Sequence, residues 1–257
     1  MAYAAGLAEG ALTVAGSRAQ WRSQFETTFP NGTGDPLYVE SKAFLLSNDA
    51  FMNSTCSGAV AASREQVCNV WAQFDGLVTG HAQAAAADGV APISRLEFMF
   101  VNALVDLSSL IHKPFADGEW TAARAARHAK LTTHCSSIVR LSADMSKLWA
   151  SHNTWSGYFT MLRVAKVYDL PSLLPAVGKG AAAVNFAGYY ATLSSLDDFF
   201  VLSSGLVVQV PPPAPAGLCL LATVCLLTVT VPALACRRPQ TRCSTNPWRR
   251  RSYRRRR

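Results

Sequence analysis

The hydrophobic residues in the middle of the chain recur with the period of an α-helix. Ser63 and Gln66 form a capping-box pattern, and apolar residues then follow at intervals of three and four: Val67, Val70, Trp71, Phe74, Leu77 and Val78. A second capping pattern, Ser94 with Glu97, precedes another stripe of this kind. Each pattern joins a start signal to one apolar face, so the two segments predict two amphipathic helices.

Two later segments also favour helices. One runs from about Trp120 to Trp149, and the other runs from Trp155 to about Tyr168, where a proline follows. No run alternates apolar and polar residues for long enough to require a sheet. The pattern therefore predicts an all-α fold, with a helical bundle as the core domain over residues 63–205.

The two ends of the chain differ in composition from this core. Residues 1–62 are rich in small residues and turn signals, which predicts a flexible N-terminal arm. Residues 206–216 form a Pro-rich linker, and residues 217–236 are an apolar segment just long enough for a transmembrane helix. An arginine-rich tail fills residues 237–257.

The positive charge of the chain lies almost entirely in this tail. The formal net charge is +8, but residues 1–236 hold 14 Lys and Arg against 16 Asp and Glu, whereas the tail holds ten arginines and no acid. Arginines beside Trp248 and Tyr253 are typical of an arm that neutralises phosphates and stacks on bases. The tail residues predicted to bind RNA are Arg249, Arg250, Arg251, Arg254, Arg255, Arg256 and Arg257. The alternative is a solvated or nuclear-localisation-like terminus.

Motifs for catalysis are absent from the sequence. There is no GxSxG, GxxxxGK[ST], GxGxxG or HExxH. Cys135 and the nearby histidines lack the spacing of a metal site, and the adjacent Asp197 and Asp198 are expected to be a solvated or helix-starting pair. We therefore predict a binding protein and not an enzyme, with no catalytic residue, metal or cofactor.

The cysteines and the N-terminus suggest a reducing compartment. Seven cysteines, an odd number, are scattered along the chain and predict reduced thiols. The N-terminus lacks a positive start and contains Glu9, so it does not predict a signal peptide. On that basis the Asn-x-Thr sequons at Asn31 and Asn53 are expected to remain unmodified.

Several short motifs stand in a characteristic order over residues 64–210. They are NVWAQFD, LVDLSSL, GEWTAARAARHAKLTTHCSSIVRLSADMSKLW, NFAGYYATL and SGLVVQVPPP. Their order resembles that of the coat proteins of flexuous filamentous plant viruses of the potexvirus and carlavirus type. The resemblance departs from the family signature at Tyr190, where the family has an Asp that helps to hold the core around the RNA pocket.

The resemblance implies a viral coat subunit that self-assembles into an open helical filament and packages single-stranded RNA through backbone contacts. By position, the groove candidates are Ser108, Ser109, Arg124 and Arg140. The implied locations are the virion and the host cytoplasm. The alternative is a tail-anchored viral protein with a cytosolic helical domain, held in a host membrane by residues 217–236 and acting in egress, movement or apoptosis. A third hypothesis is a helical adaptor whose basic terminus has no function.

Overall fold

The chain combines helices in its first half with antiparallel strands in its second half. The computed structural model describes residues 1–58, 64–103, 135–170, 183–209 and 225–228. The helices are α1 Ala2–Leu12, α2 Val14–Thr28, α3 Pro36–Cys56, α4 Glu65–Ala87 and α5 Arg95–Asn102. The strands are β1 Cys135–Leu141, β2 Leu148–Thr154, β3 Arg163–Asp169, β4 Ala183–Tyr189, β5 Phe199–Leu202, β6 Leu206–Gln209 and β7 Cys225–Thr228. The predicted all-α bundle is therefore wrong.

The two predicted amphipathic helices are confirmed, and so is the capping box of the second; Ser63, which the sequence pattern predicts as the cap of the first, lies outside the described residues, and α4 begins after Arg64 without a side-chain cap. The apolar stripe from Val67 to Val78 lies within α4. The Ser94 side chain accepts from the backbone N–H of Glu97, and the Glu97 carboxylate accepts from the backbone N–H of Ser94, which completes the capping box of α5.

The predicted flexible arm is instead made of ordered helices. Residues 2–56 form α1, α2 and α3 around a 3-10 turn at Gly32–Gly34. The small residues that suggested flexibility allow α1 to lie directly against α4. A Cβ on Gly6 would stand 1.9 Å from the backbone oxygen of Gln73, and one on Gly80 would stand 2.0 Å from the backbone oxygen of Leu7. Their composition therefore reflects close helix packing.

Aromatic side chains from α2 and the turn after it, and from α3, α4 and α5, fill the helical core. The rings of Tyr38 and Phe100 stack with their centroids 4.9 Å apart, and Phe29 contacts both of them edge-on. Leu77 and Phe98 in the same cluster are fully buried. The helices α2 and α3 thus contribute side chains to the main core, which a flexible arm would not do.

The strands form two antiparallel sheets. β1 and β2 make a hairpin in which Cys135 pairs with Thr154, and the other five strands pair in the order β3-β4-β5-β6-β7. The apolar residues Ile138, Leu141, Met145 and Leu148 mimic helical spacing because they flank a hairpin turn, where Met145 has a φ of 62°. In β3 one of the inward positions is occupied by the charged residue Lys166, so the sequence does not show the alternation of apolar and polar residues expected of a strand. These features explain the wrong helical prediction.

A disulfide bond joins Cys56, at the end of α3, to Cys68 in α4. The prediction of reduced thiols is therefore wrong for these two residues. The crosslink ties together the two helices on either side of a short connection.

Part of the apolar segment predicted at 217–236 forms strand β7, which pairs with β6. Among the residues that the structure describes, no helix is long and apolar enough to cross a membrane. The arginines of the tail lie outside the described residues. The division of the chain into core domain, linker, apolar segment and tail remains a prediction.

Candidate active site

The five-stranded sheet lies between the helices and the hairpin. On one face, the Lys166 ammonium of β3 donates to the Glu9 carboxylate of α1 at 2.7 Å. On the other, the Thr154 hydroxyl of β2 donates to the backbone oxygen of Asp197 at 3.1 Å, and the Ser137 hydroxyl donates to the Gln209 side chain. The hairpin therefore contacts the sheet on the side opposite the helices, at Asp197 and Gln209, and leaves much of that face exposed.

A cavity of about 350 Å³ opens between the hairpin and the sheet. Its lining residues are Ala150, Ser151, His152, Asn153, Thr154, Arg163, Ala187, Asp197 and Phe199. The lining brings together an imidazole, a guanidinium, a carboxylate and a hydroxyl, which are the side chains used in acid–base and nucleophilic chemistry.

Cys135 stands directly opposite Thr154 at the end of the hairpin that carries these groups. It is half-buried and is the one free thiol among the side chains that the structure describes. Burial raises the pKa of the Cys135 thiol, and the carboxylates of Asp198 and Asp197 act in the same direction. Hydrogen bonds with the Thr154 hydroxyl and the Trp155 backbone amide oppose this rise. The thiol is thus protonated at neutral pH and needs a base to react as a nucleophile.

His152 lies two residues from Thr154, on the same face of β2. Its Nδ1 atom is 3.4 Å from the Thr154 hydroxyl oxygen, and its buried Nε2 atom has no partner within the described part of the chain. Burial raises the pKa of Asp198, and the positive charge that His152 can carry opposes that rise. Thr154 therefore stands between a thiol and an imidazole.

Arg163, Tyr189 and Asp197 fix the sheet side of the cavity. Both oxygens of the Asp197 carboxylate are used: one pairs with the Arg163 guanidinium and the other accepts from the Tyr189 hydroxyl at 2.8 Å. The Arg163 guanidinium carbon lies 4.5 Å from the centre of the Tyr189 ring. Burial, followed by the hydrogen bond to Asp197, raises the pKa of Tyr189, so its hydroxyl remains a donor.

The expectation of a solvated Asp197–Asp198 pair is wrong. Asp197 is buried, and Asp198 is half-buried, with a φ of 53°. Their two carboxylates still have different surroundings, because Asp197 binds Arg163 and Tyr189 whereas Asp198 contributes to the field around Cys135. A tight turn before β5 places both residues at the site.

Of the residues predicted to bind RNA, Arg140 is the one that the structure describes. Arg140 is exposed on β1, and the period of the strand puts it on the face opposite Cys135. The other candidates lie outside the described residues: Ser108, Ser109, Arg124, Arg249, Arg250, Arg251, Arg254, Arg255, Arg256 and Arg257. The ring of Tyr190 lies against Gly16 of α2. The described part of the chain contains no group of three or more side chains suited to a metal ion.

Comparison with known proteins gives one consistent family. A family model described as Phospholipase B matches residues 1–210. Phospholipase B-like protein B of Dictyostelium discoideum is 35% identical over 143 residues, which are 54% of this chain and 25% of that protein. Phospholipase B of Crotalus adamanteus is 26% identical over 225 residues, which are 80% of this chain and 37% of that protein. The chain therefore spans only about a quarter to two fifths of the length of these relatives.

These matches overturn the resemblance to potexvirus and carlavirus coat proteins. The relatives belong to cellular organisms, among them Homo sapiens, whose Phospholipase B-like 1 is 30% identical over 54% of this chain and 24% of that protein. The predicted coat function, the tail-anchored viral alternative and the virion, host-cytoplasm and host-membrane locations are therefore wrong. The predicted filament and RNA partner have no support. The prediction of a non-enzyme is also wrong, because the family is one of phospholipases by name.

Proposed function

The chain belongs to the phospholipase B family, and on that premise we propose that it forms part of a hydrolase that cleaves carboxylic ester bonds of phospholipids. The observation that carries the proposal is the free Cys135 thiol, placed opposite Thr154 beside a polar cavity. A half-buried thiol among titratable side chains is a candidate nucleophile for acyl transfer.

In the proposed reaction, the sulfur of Cys135 attacks the ester carbonyl carbon. The bond from that carbon to the alcohol oxygen breaks, the thiol proton passes to the departing alcohol, and an acyl-thioester remains on Cys135. Water then cleaves the thioester, which releases the fatty acid and restores the thiol. His152, whose Nδ1 atom lies 3.4 Å from the hydroxyl oxygen of Thr154, is the base proposed to take the thiol proton and to deliver it to the departing alcohol.

The network of Arg163, Asp197 and Tyr189 supports this reaction by positioning. The backbone oxygen of Asp197 accepts from the Thr154 hydroxyl, so the carboxylate that Arg163 and Tyr189 hold also fixes the partner of the thiol. These three side chains act through Thr154 and need no contact with the substrate to do so.

Trapping of the acyl-thioester tests the proposal. The full chain is incubated with phosphatidylcholine vesicles, quenched in acid and digested with trypsin, and the mass of peptide 131–140, which contains Cys135, is measured. We expect an acyl group on this peptide that hydroxylamine removes, and we expect none in Cys135→Ala.

Asp144→Asn is the matched control, because Asp144 is exposed in the hairpin turn, at the end of β1 away from Cys135. It should leave acylation and fatty-acid release unchanged. Equal fatty-acid release from the wild-type chain and Cys135→Ala, or acylation confined to another residue, would exclude Cys135 as the nucleophile.

A further inference from the structure

We propose that Asn31 is an N-glycosylation site and that the second sequon of the chain, at Asn53, is not. The sequence contains two Asn-x-Thr sequons, Asn31-Gly32-Thr33 and Asn53-Ser54-Thr55. An Asn-linked glycan belongs on the surface of a protein that passes through a secretory compartment. The surroundings of the two asparagines show whether the surface can hold a glycan, and the redox state of the cysteines indicates the compartment.

The Asn31 sequon occupies an exposed turn between α2 and α3. Asn31 and Thr33 are exposed, and Gly32–Gly34 forms a 3-10 turn. A Cβ added at Gly32 or Gly34 would meet no atom within 4 Å, so open space surrounds the turn. The Asn31 amide makes a single side-chain hydrogen bond, a long one of 3.4 Å from Nδ2 to Asp35. The folded chain therefore accommodates a large group on this nitrogen.

The Asn53 sequon lies within the last turn of α3; Asn53 is exposed, as Asn31 is, but its side chain makes hydrogen bonds within α3 and to α4. Its Oδ1 atom accepts from the Trp71 indole of α4 at 2.9 Å, and its Nδ2 atom donates to Asp49 at 3.3 Å. Arg95 holds the same Asp49 carboxylate at 2.8 Å. A sugar on Nδ2 would stand where these groups meet, close to the Cys56–Cys68 crosslink.

The disulfide bond between Cys56 and Cys68 indicates that the chain folds in an oxidising compartment. Disulfides form and persist in oxidising compartments such as the lumen of the endoplasmic reticulum, and thiols stay reduced in the cytosol. A chain that acquires this bond in a eukaryotic cell meets the glycosylation machinery in the same lumen.

The modification transfers an oligosaccharide from a polyprenyl-diphosphate donor. The bond between the anomeric carbon and the diphosphate oxygen breaks, and a bond from that carbon to Nδ2 of Asn31 forms. Nδ2 loses one proton, which leaves with the diphosphate. The step involves no oxidation or reduction, and the sugar donor is its only co-reactant.

The test uses the full chain, expressed behind a cleavable secretion leader in cultured eukaryotic cells. Secreted or luminal protein is treated with peptide N-glycanase, and its mobility and tryptic peptides are measured. Digestion in heavy-oxygen water separates enzymatic conversion of Asn31 from spontaneous deamidation at Asn31–Gly32. Peptide 23–42 contains Asn31 as its only asparagine, so the label has one assignment there.

We expect one mobility step that is present in wild type, Asn53→Gln and Thr33→Ser and is lost in Asn31→Gln and Thr33→Ala. Thr33→Ser is the matched control, because it keeps the sequon while changing the same residue. Formation of the Cys56–Cys68 bond, read from non-reduced peptides, shows that each variant has folded in the oxidising lumen. An oxidised chain without a glycan, a step that survives Asn31→Gln, or two additive steps would overturn the proposal.

Discussion

The thiol of Cys135 is subject to opposing influences that single substitutions can separate. Burial and the negative charge of Asp198 raise its pKa, and the contact with the Thr154 hydroxyl lowers it. The thiolate is the form that reacts with alkylating agents, so the alkylation rate at fixed pH reports the pKa.

Asp198→Asn should speed the alkylation of Cys135, because loss of the negative charge lowers the thiol pKa. We expect an increase of about two- to fivefold at pH 8, which corresponds to less than one pKa unit. Thr154→Val should slow the reaction, since it removes a contact that favours the thiolate. The rate of iodoacetamide addition to peptide 131–140 measures both effects, with Asp144→Asn as the control. Equal rates in all variants would mean that the two side chains do not act on the thiol.

The buried pair of Lys166 and Glu9 gives a second residue-scale prediction. Lys166 is 6% exposed and donates to Glu9 at 2.7 Å, and the Tyr168 hydroxyl donates to the other oxygen of the same carboxylate at 2.6 Å. Glu9→Ala leaves the ammonium buried without its counter-charge. We expect a loss of about 3–5 kcal/mol in the free energy of unfolding, measured by urea denaturation.

The pH dependence of this loss identifies its cause. Burial lowers the pKa of Lys166 and Glu9 opposes that effect, so Glu9→Ala lowers the folded-state pKa further below the unfolded value. Between these two values the unfolded chain binds more protons, and stability therefore rises with pH. The deficit of Glu9→Ala should be largest at neutral pH and shrink toward about pH 10. A deficit that does not change with pH would indicate lost packing alone.

At the scale of elements, the contact between α1 and α4 depends on glycines from both helices. A Cβ on Gly76 would stand 2.0 Å from the backbone oxygen of Tyr3, and one on Gly10 would stand 2.1 Å from that of Leu77. No side-chain rotation relieves a clash with backbone, so the helices must separate to admit a methyl group.

Gly76→Ala should therefore lower the free energy of unfolding by at least about 2 kcal/mol, even though alanine is the better helix former. Thermal and urea unfolding measure the change. Gly34→Ala is the matched control, because its Cβ would meet no atom within 4 Å, and it should stay within about 0.5 kcal/mol of wild type. Similar stabilities for the two variants would contradict the close packing of α1 on α4.

Local sequence signals predict α4 and α5 because each has an apolar stripe, and the start of α5 is also marked by its capping box. They fail for α1, because its glycines are typical of a flexible segment, whereas in the structure they allow close packing against α4. They fail for β1 as well, because six of its seven residues are exposed and no alternation marks it as a strand. The buried Lys166 is paired with Glu9, which lies far away in sequence, so a charged residue interrupts the inward face of β3 between Val164 and Tyr168.

The site is hidden from sequence reasoning for the same reason. Cys135, Arg163 and Asp197 belong to three separate parts of the chain, and pairing of strands brings their surroundings together. No local motif links them. The run of β-branched and small residues after Cys135 is the one available signal, since it favours a strand that begins at a thiol.

At the scale of the whole molecule, the family match ends before the arginine-rich tail. The match covers residues 1–210 and includes every described helix and strand except β7. The apolar segment and the arginines lie beyond it. The functional interpretation of the sequence rested on the charge concentrated in residues 237–257, whereas the family assignment rests on residues 1–210.

The Cys56–Cys68 crosslink stabilises the whole molecule by restricting its unfolded state. It closes a loop with a sequence separation of 12, for which chain entropy predicts a contribution of about 3 kcal/mol. The double variant Cys56→Ser/Cys68→Ser should show this loss in urea denaturation, and reductant should produce the same loss in wild type. Cys135→Ser is the control, because that thiol is free and reductant should lower the stability of this variant as it does that of wild type. If reductant left the stability of wild type unchanged, the bond would not constrain the unfolded chain, and the inference of an oxidising compartment would lose its support.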